Sequence, residues 1–278
     1  MSELRVGALT VCLVACGHSG PYWDDLDASV AGDDAQAHGD AAQMPTRSAT
    51  IDVRLIAPGF SETPETQIAG GFIKQKVCAH STVGSCEVVR CEHLQRDVLA
   101  APGKLHVSFV GGEYGWDPGA FPLLFSANAI TWAAGEPVKV RTEGEAVPAF
   151  TTQANSPTTL DAGYNGPLFN VTFARTAPLH MTWTPSSGDV IVTMEQNTDS
   201  NDTSHVTIEC TGTGPSGALD VPAAALSKLS YTDGSIIDEV RSKTWHVNTG
   251  TVTAGDYAVR VRVMRAYTDQ TTYFKPMP

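Results

Sequence analysis

Beyond its first fifty residues the chain alternates apolar and polar positions with a period of two, the signature of half-buried strands rather than of helices. Ile51, Val53 and Leu55 share one side of a short segment while Asp52 and Arg54 share the other. Near the C terminus Tyr257, Val259 and Val261 alternate with Arg260 and Arg262 in the same way, and the parity slips at Met264, as a β-bulge would make it. Comparable alternation or β-branched runs occupy 71–77, 86–91, 104–110, 137–141, 169–173, 180–184, 190–195, 205–210 and 244–247. Clusters such as Gly111-Gly112, Asn165-Gly166-Pro167 and Ser187-Gly188-Asp189 separate them and supply turn conformations. About ten to twelve strands at this spacing predict an all-β fold, an antiparallel two-sheet β-sandwich. One short helix is expected over 220–229, where Pro222 precedes Ala223-Ala224-Ala225-Leu226; it would plug one end of the sandwich.

The N-terminal segment reads differently. Residues 6–15 form an apolar stretch too short for a spanning helix of about 20 residues and suited to a signal-peptide core. Arg5 and the amino terminus give it positive charge, opposed by Glu3. It closes in Leu13-Val14-Ala15-Cys16, which resembles the lipobox of bacterial lipoproteins. That resemblance implies removal of residues 1–15 and a diacylglycerol on the Cys16 thiol, usually joined by a third acyl chain, and two or more chains anchor stably in a membrane. Gly17, rather than Asp, after the cysteine points to the outer membrane of a bacterial cell envelope.

Residues 16–48 then read as an acidic tether. Asp24, Asp25, Asp27, Asp33, Asp34 and Asp40 are spread among small residues, and so little apolar surface cannot offset the entropy of ordering. A flexible arm of that length spans about 30 Å. The body is expected over 49–278, with two sub-domains split near 152–166 as the alternative to one, and no other segment is apolar enough to cross a membrane.

Four stretches carry a family resemblance: Gly135-Glu136-Pro137-Val138-Lys139-Val140, Val147-Pro148-Ala149-Phe150, Leu179-His180-Met181-Thr182-Trp183-Thr184-Pro185 and Val221-Pro222-Ala223-Ala224-Ala225-Leu226. Together they resemble a large paralogous set of uncharacterised myxobacterial lipoproteins, over about residues 49–273. The Met181–Pro185 element is also similar to the tryptophan-bearing strand of fibronectin type III and related Ig-like sandwiches. The resemblance implies an envelope location and an Ig-like sandwich; it implies no catalytic residue, because a fold does not by itself supply a function.

A net charge of −12 with only 18 Lys and Arg and no basic run argues against nucleic acid as a partner, since phosphate binding needs clustered cations. With Cys12 in the signal and Cys16 lipidated, Cys78, Cys86, Cys91 and Cys210 remain, an even number that an oxidising compartment would pair. Three connectivities exist. Cys86 and Cys91 end one candidate strand, too extended to bridge its own ends, so Cys78–Cys91 and Cys86–Cys210 are favoured. The competing reading is zinc held by Cys78, His80, Cys86, Cys91 and His93, but the spacing matches no zinc knuckle or helical histidine pair. No metal and no cofactor are assigned.

Catalytic signatures are absent from the sequence: no nucleophile elbow, zinc helix, P-loop or dinucleotide fingerprint occurs. His106, His180, His205 and His246 fall within expected strands, where a rim or solvent-facing position is the ordinary reading. The turn Asp199-Ser200-Asn201-Asp202 lacks the glycine and bidentate glutamate of an EF-hand. Trp132, Trp183 and Trp245 are expected in core strands. Glu113-Tyr114-Gly115-Trp116-Asp117-Pro118-Gly119 reads as a glycine-rich loop that would present Tyr114 and Trp116 to a ligand, or fold Trp116 back on the core edge. The expected function is a lipid-anchored, non-enzymatic binding or adhesion module for a glycan or envelope protein. The alternatives are an envelope hydrolase with a site assembled from distant residues, and an accessory subunit docking through a sheet edge.

Overall fold

The computed structural model describes residues 45–56, 65–92, 95–119, 123–128, 132–158, 171–197, 204–230, 240–266 and 272–277. Cys16, the signal segment, the tether as far as residue 44, His93, the turn at 165–167 and the acidic turn at 199–202 lie outside the described residues. In chain order the strands are β1 (Arg47–Ile56), β2 (Glu65–Gln75), β3 (Ala79–Val83), β4 (Cys86–Cys91), β5 (Val98–Leu99), β6 (Leu105–Phe109), β7 (Gly112–Trp116), β8 (Leu123–Asn128), β9 (Pro137–Thr142), β10 (Thr151–Asn155), β11 (Val171–Ala174), β12 (Leu179–Thr182), β13 (Asp189–Asn197), β14 (His205–Thr213) and β15 (Ala218–Val221). Helix α1 (Ala223–Leu226), β16 (Val240–Ala254), β17 (Tyr257–Arg265) and β18 (Thr272–Met277) complete the series. The fold is an all-β sandwich, and its described residues belong to one unit, Ala42–Pro278.

One large sheet runs β3-β4-β14-β13-β16-β17-β1-β2-β5, with β8, β11 and β18 paired off this path. Two smaller layers cover its inner face, the four-stranded sheet β10-β9-β6-β7 and the ribbon β12-β15. Strand alternation explains both interfaces. Ile51, Val53 and Leu55 of β1 and Val259, Val261 and Val263 of β17 meet Leu105, Val107, Val138 and Val140 of the four-stranded sheet in one core. Val192, Met194, Val206 and Ile208 meet Val221, Ala225 and Leu226 in a second. Gly250 allows the cover to approach closely: a β-carbon there would lie 2.1 Å from the carbonyl oxygen of Gln153 in β10.

Several expectations change. The sheet is mixed, because β1 lies parallel to β17 and β11 parallel to β18. Tyr257–Arg265 is followed by a further strand, β18, and β17 carries no bulge at Met264, whose pairing with Arg54 and Val247 stays in register. Met264 is buried because the outer face is covered there by Ile191, Trp245, Val247 and Ala266. The helix is shorter than 220–229, since Asp220 and Val221 pair with His180 and Leu179 across the β12–β15 ribbon before Pro222 turns the chain. Trp132 and Trp183 are buried but lie outside strands; the Trp183 indole N–H donates to the Gly214 carbonyl at 2.9 Å.

Alternation puts Arg262 and Asp52 on the polar sides of their strands. Both point away from the first core, yet they are 6% and 3% exposed. Arg262 Nε donates to Asp52 Oδ1 at 2.6 Å and Nη2 to Oδ2 at 2.9 Å, while Nη1 donates to Glu209. Arg54 adds a bond to Asp52 Oδ2 at 2.8 Å and lies over the Trp245 ring. Burial alone would raise the Asp52 carboxyl, but Arg262 and Arg54 more than offset it and hold the group below its ordinary value. Burial likewise opposes the Arg262 cation, and Asp52 and Glu209 raise it instead. Glu209 stands on β14, three strand spacings from β17, about 14 Å in a flat sheet. The contact therefore requires the sheet to curl, turning the outer faces of β14 and β17 toward each other.

Candidate functional site

The outward face of the four-stranded sheet gathers an array of polar side chains around one histidine. With Leu105, Val107 and Phe109 committed to the core, alternation turns His106 and Ser108 of β6 outward. On either side, β7 pairs Glu113 with Ser108 and Gly115 with His106, and β9 pairs Lys139 with Ser108 and Arg141 with His106. His106 is 7% exposed because carboxylates flank both edges of its ring. Nδ1 lies 2.9 Å from Glu113 Oε1 and Nε2 lies 2.9 Å from Glu143 Oε1. The ring occupies the space that Gly115 leaves open, where a β-carbon would come within 2.9 Å of Nδ1.

Glu113 collects three groups. Ser108 Oγ donates to Oε2 at 2.8 Å, His106 meets Oε1, and Arg141 Nη2 donates to Oε1 at 3.4 Å. The Ser108 hydroxyl first, and then His106, hold the Glu113 carboxyl below its ordinary value. Ser108 and His106 thus bind separate oxygens of one carboxylate rather than each other, and a depressed carboxylate is a poor base near neutral pH. The arrangement suits hydrogen bonding to a ligand: carboxylate acceptors and guanidinium and ammonium donors stand side by side on a sheet.

Tyr114 and Trp116 lie on strand β7, not in a loop. Tyr114 is 38% exposed and stacks on Phe109 with ring centroids 5.6 Å apart. Trp116 is half-buried and packs against the first core. Val110, at the turn between β6 and β7, is 81% exposed. The sequence-predicted aromatic pair therefore splits, with Tyr114 left at the surface and Trp116 drawn into packing.

The four body cysteines form Cys78–Cys91 and Cys86–Cys210, the pairing favoured from spacing. Their sulfurs are thus not available as zinc thiolates, and no metal-ligating group of three or more residues occurs among the described residues. His80 instead sits between carboxylates, Nε2 at 2.8 Å from Asp97 Oδ2 and Nδ1 at 3.3 Å from Glu87 Oε1. Asp97 Oδ1 accepts from the backbone N–H groups of Val77 and Cys78 at 2.8 and 3.0 Å. The histidines diverge from a common solvent-facing role. His106 and His246 are buried, His205 is half-buried and His180 is exposed beside Asp220. His246 Nδ1 lies 2.8 Å from the carbonyl oxygen of Thr158, and Nε2 contacts that of Ser187. Among the described residues no helix is long and apolar enough to cross a membrane.

The His106 array was missed at the level of sequence, although one signal pointed to it. A two-residue turn at Val110-Gly111 would place Ser108 opposite Glu113 and His106 opposite Gly115.

No protein-family model matches the chain, and no curated protein matches it. A solved structure of a 1.5-MDa bacterial ice-binding adhesin, concerned with host cell surface retention, is similar over 84% of this chain. The identity is 12% and the TM-score 0.23, and this chain spans 66% of that chain's length, just under two thirds. A likeness at that TM-score adds nothing to the fold described above.

Proposed function

We propose that the chain is a lipid-anchored protein of the bacterial cell envelope, held at the outer membrane through a diacylglycerol on Cys16. Its sandwich body acts as a binding or adhesion module at the end of the acidic tether, and it belongs with the myxobacterial lipoproteins it resembles. The observation that carries the binding assignment is the outward array of Glu113, Glu143, Arg141 and Lys139 around a clamped His106; Tyr114, opposite Val107, belongs to the other face of the same sheet. Such a surface offers hydrogen-bond donors and acceptors without a nucleophile paired to a base, which favours recognition of an envelope glycan over hydrolysis. The placement of all four body cysteines in disulfides supports an oxidising compartment.

The test uses the full chain. In a bacterial host fed a labelled fatty acid, the wild-type chain should take up label and Cys16→Ser should not. Released protein should be retained on purified peptidoglycan sacculi or outer-membrane vesicles, and Arg141→Ala with Glu113→Gln should weaken that retention at least tenfold. Equal labelling of Cys16→Ser would overturn the anchor, and unchanged retention of the double variant would overturn the surface.

A further inference from the structure

A second site lies on the opposite side of the molecule, inside the curl of the large sheet. Alternation places Ser48 and Thr50 of β1, Ala258 and Arg260 of β17, and Thr251 and Thr253 of β16 on the outer face. Register sets Ser48 beside Ala258, Thr50 beside Arg260, and these in turn beside Thr253 and Thr251. Glu87 of β4 reaches the same place: it lines one cleft of about 460 Å³ together with these residues. In a flat sheet β4 would stand four strand spacings from β17, about 19 Å away, so the cleft exists only because the sheet curls. Its volume falls within the range of about 300–1,000 Å³ usual for small-molecule sites.

The side chains on this cleft are unspent. The hydroxyls of Ser48, Thr50, Thr251 and Thr253 and the Arg260 guanidinium have no hydrogen-bond or ion-pair partner among the described residues, and none of them contributes to either core. Glu87 is engaged through Oε1 alone, by His80 at 3.3 Å. That contact is itself supported: His80 is held by Asp97, and Asp97 by the N–H groups of Val77 and Cys78, next to the Cys78–Cys91 bridge. His80 and Asp97 are thus positioning residues for the carboxylate at the cleft.

We propose that this cleft binds a short, uncharged saccharide. Each hydroxyl is both donor and acceptor, as each sugar hydroxyl is, while Glu87 supplies a pure acceptor and Arg260 pure donors. The two charges are opposite and single, so the cleft has no net preference for an anion or a cation. A zwitterion such as an amino acid would use Glu87 and Arg260 but leave the four hydroxyls half used. β-Branched threonines on a sheet are held in few rotamers, which lowers the entropy lost on binding. This site is independent of the face around His106, and either can fail without the other.

The experiment is calorimetric titration and saturation-transfer NMR of the full chain with glucose, N-acetylglucosamine, cellobiose and chitobiose as probes. At least one of the four should bind, and Arg260→Ala, Glu87→Gln and Thr251→Val should each weaken it at least tenfold. The thermal midpoint of Thr251→Val should stay at the wild-type value, separating lost contacts from lost fold. Asp97→Asn should weaken the same probe less than Glu87→Gln does. The proposal is overturned if none of the four sugars binds at concentrations up to about 10 mM, roughly tenfold above a 1 mM Kd. Binding that survives Arg260→Ala and Thr251→Val together, or saturation by glycylglycine but by no sugar, overturns it as well.

Discussion

Asp52 is the buried carboxylate that compensates Arg262 on the outer face of the curled sheet. It neutralises Arg262 through a two-pronged contact and also receives Arg54, and removing one partner of such a buried pair leaves a charge without compensation. Asp52→Asn should therefore cost about 3–5 kcal/mol in denaturant unfolding at neutral pH. The acid response follows from the sign of the shift. The folded carboxyl titrates below its ordinary value, so its contribution is complete above the unfolded value of about 3.9 and is lost as pH falls through the folded one. Unfolding free energy measured from pH 6 downward should fall steeply below about pH 4 in the wild type, and less steeply in Asp52→Asn. Parallel acid limbs would mean that Asp52 is not ion-paired in solution. The sequence shows the parity of this pair but not its burial: alternation places Asp52 and Arg262 away from the first core, and nothing local reveals that β1 runs parallel to β17 or that the sheet closes over them.

Strands legible in the sequence are those with β-branched residues on one face, as in β1, β13, β14 and β17. The strand missed outright at the candidate site, β7, has Gly112 at one core-facing position and Gly115 at an outward one, a glycine content that reads as a loop, although Gly115 serves to admit the His106 ring. The short α1 illustrates the converse, a helical stretch trimmed because two of its residues pair more favourably in a ribbon. Gly250 is an element-scale test of how closely the cover approaches the large sheet. In an ordinary strand interior a Gly→Ala change is stabilising by roughly 0.5–1 kcal/mol. Here the new methyl group would meet the Gln153 carbonyl, so Gly250→Ala should instead destabilise by about 1–3 kcal/mol. Thermal unfolding decides between the two signs, and a raised midpoint would show that β10 does not cross β16 at this separation.

Across the whole molecule, the two disulfides staple β4 at both ends, Cys86 to β14 and Cys91 to the segment before β3. This matters because β4 carries Glu87 at the rim of the curl, far along the sheet from the strands it faces. The bridges close chain separations of 124 and 13 residues, and loop-closure entropy makes the longer more stabilising, by about 4–5 kcal/mol against about 3. Replacing Cys86 and Cys210 together by alanine should therefore lower the unfolding free energy more than replacing Cys78 and Cys91. The second replacement should have the more local effect, because it frees the segment whose N–H groups hold Asp97 and, through His80, Glu87. Hydrogen exchange distinguishes these outcomes: loss of Cys78–Cys91 should raise exchange in β3 and at Val77 and Cys78 while β16 and β17 stay protected. Loss of Cys86–Cys210 should lower protection throughout. Uniform loss in both variants would mean that β4 is held by its ladder with β14 alone, and that the orientation of Glu87 does not depend on the bridge beside it.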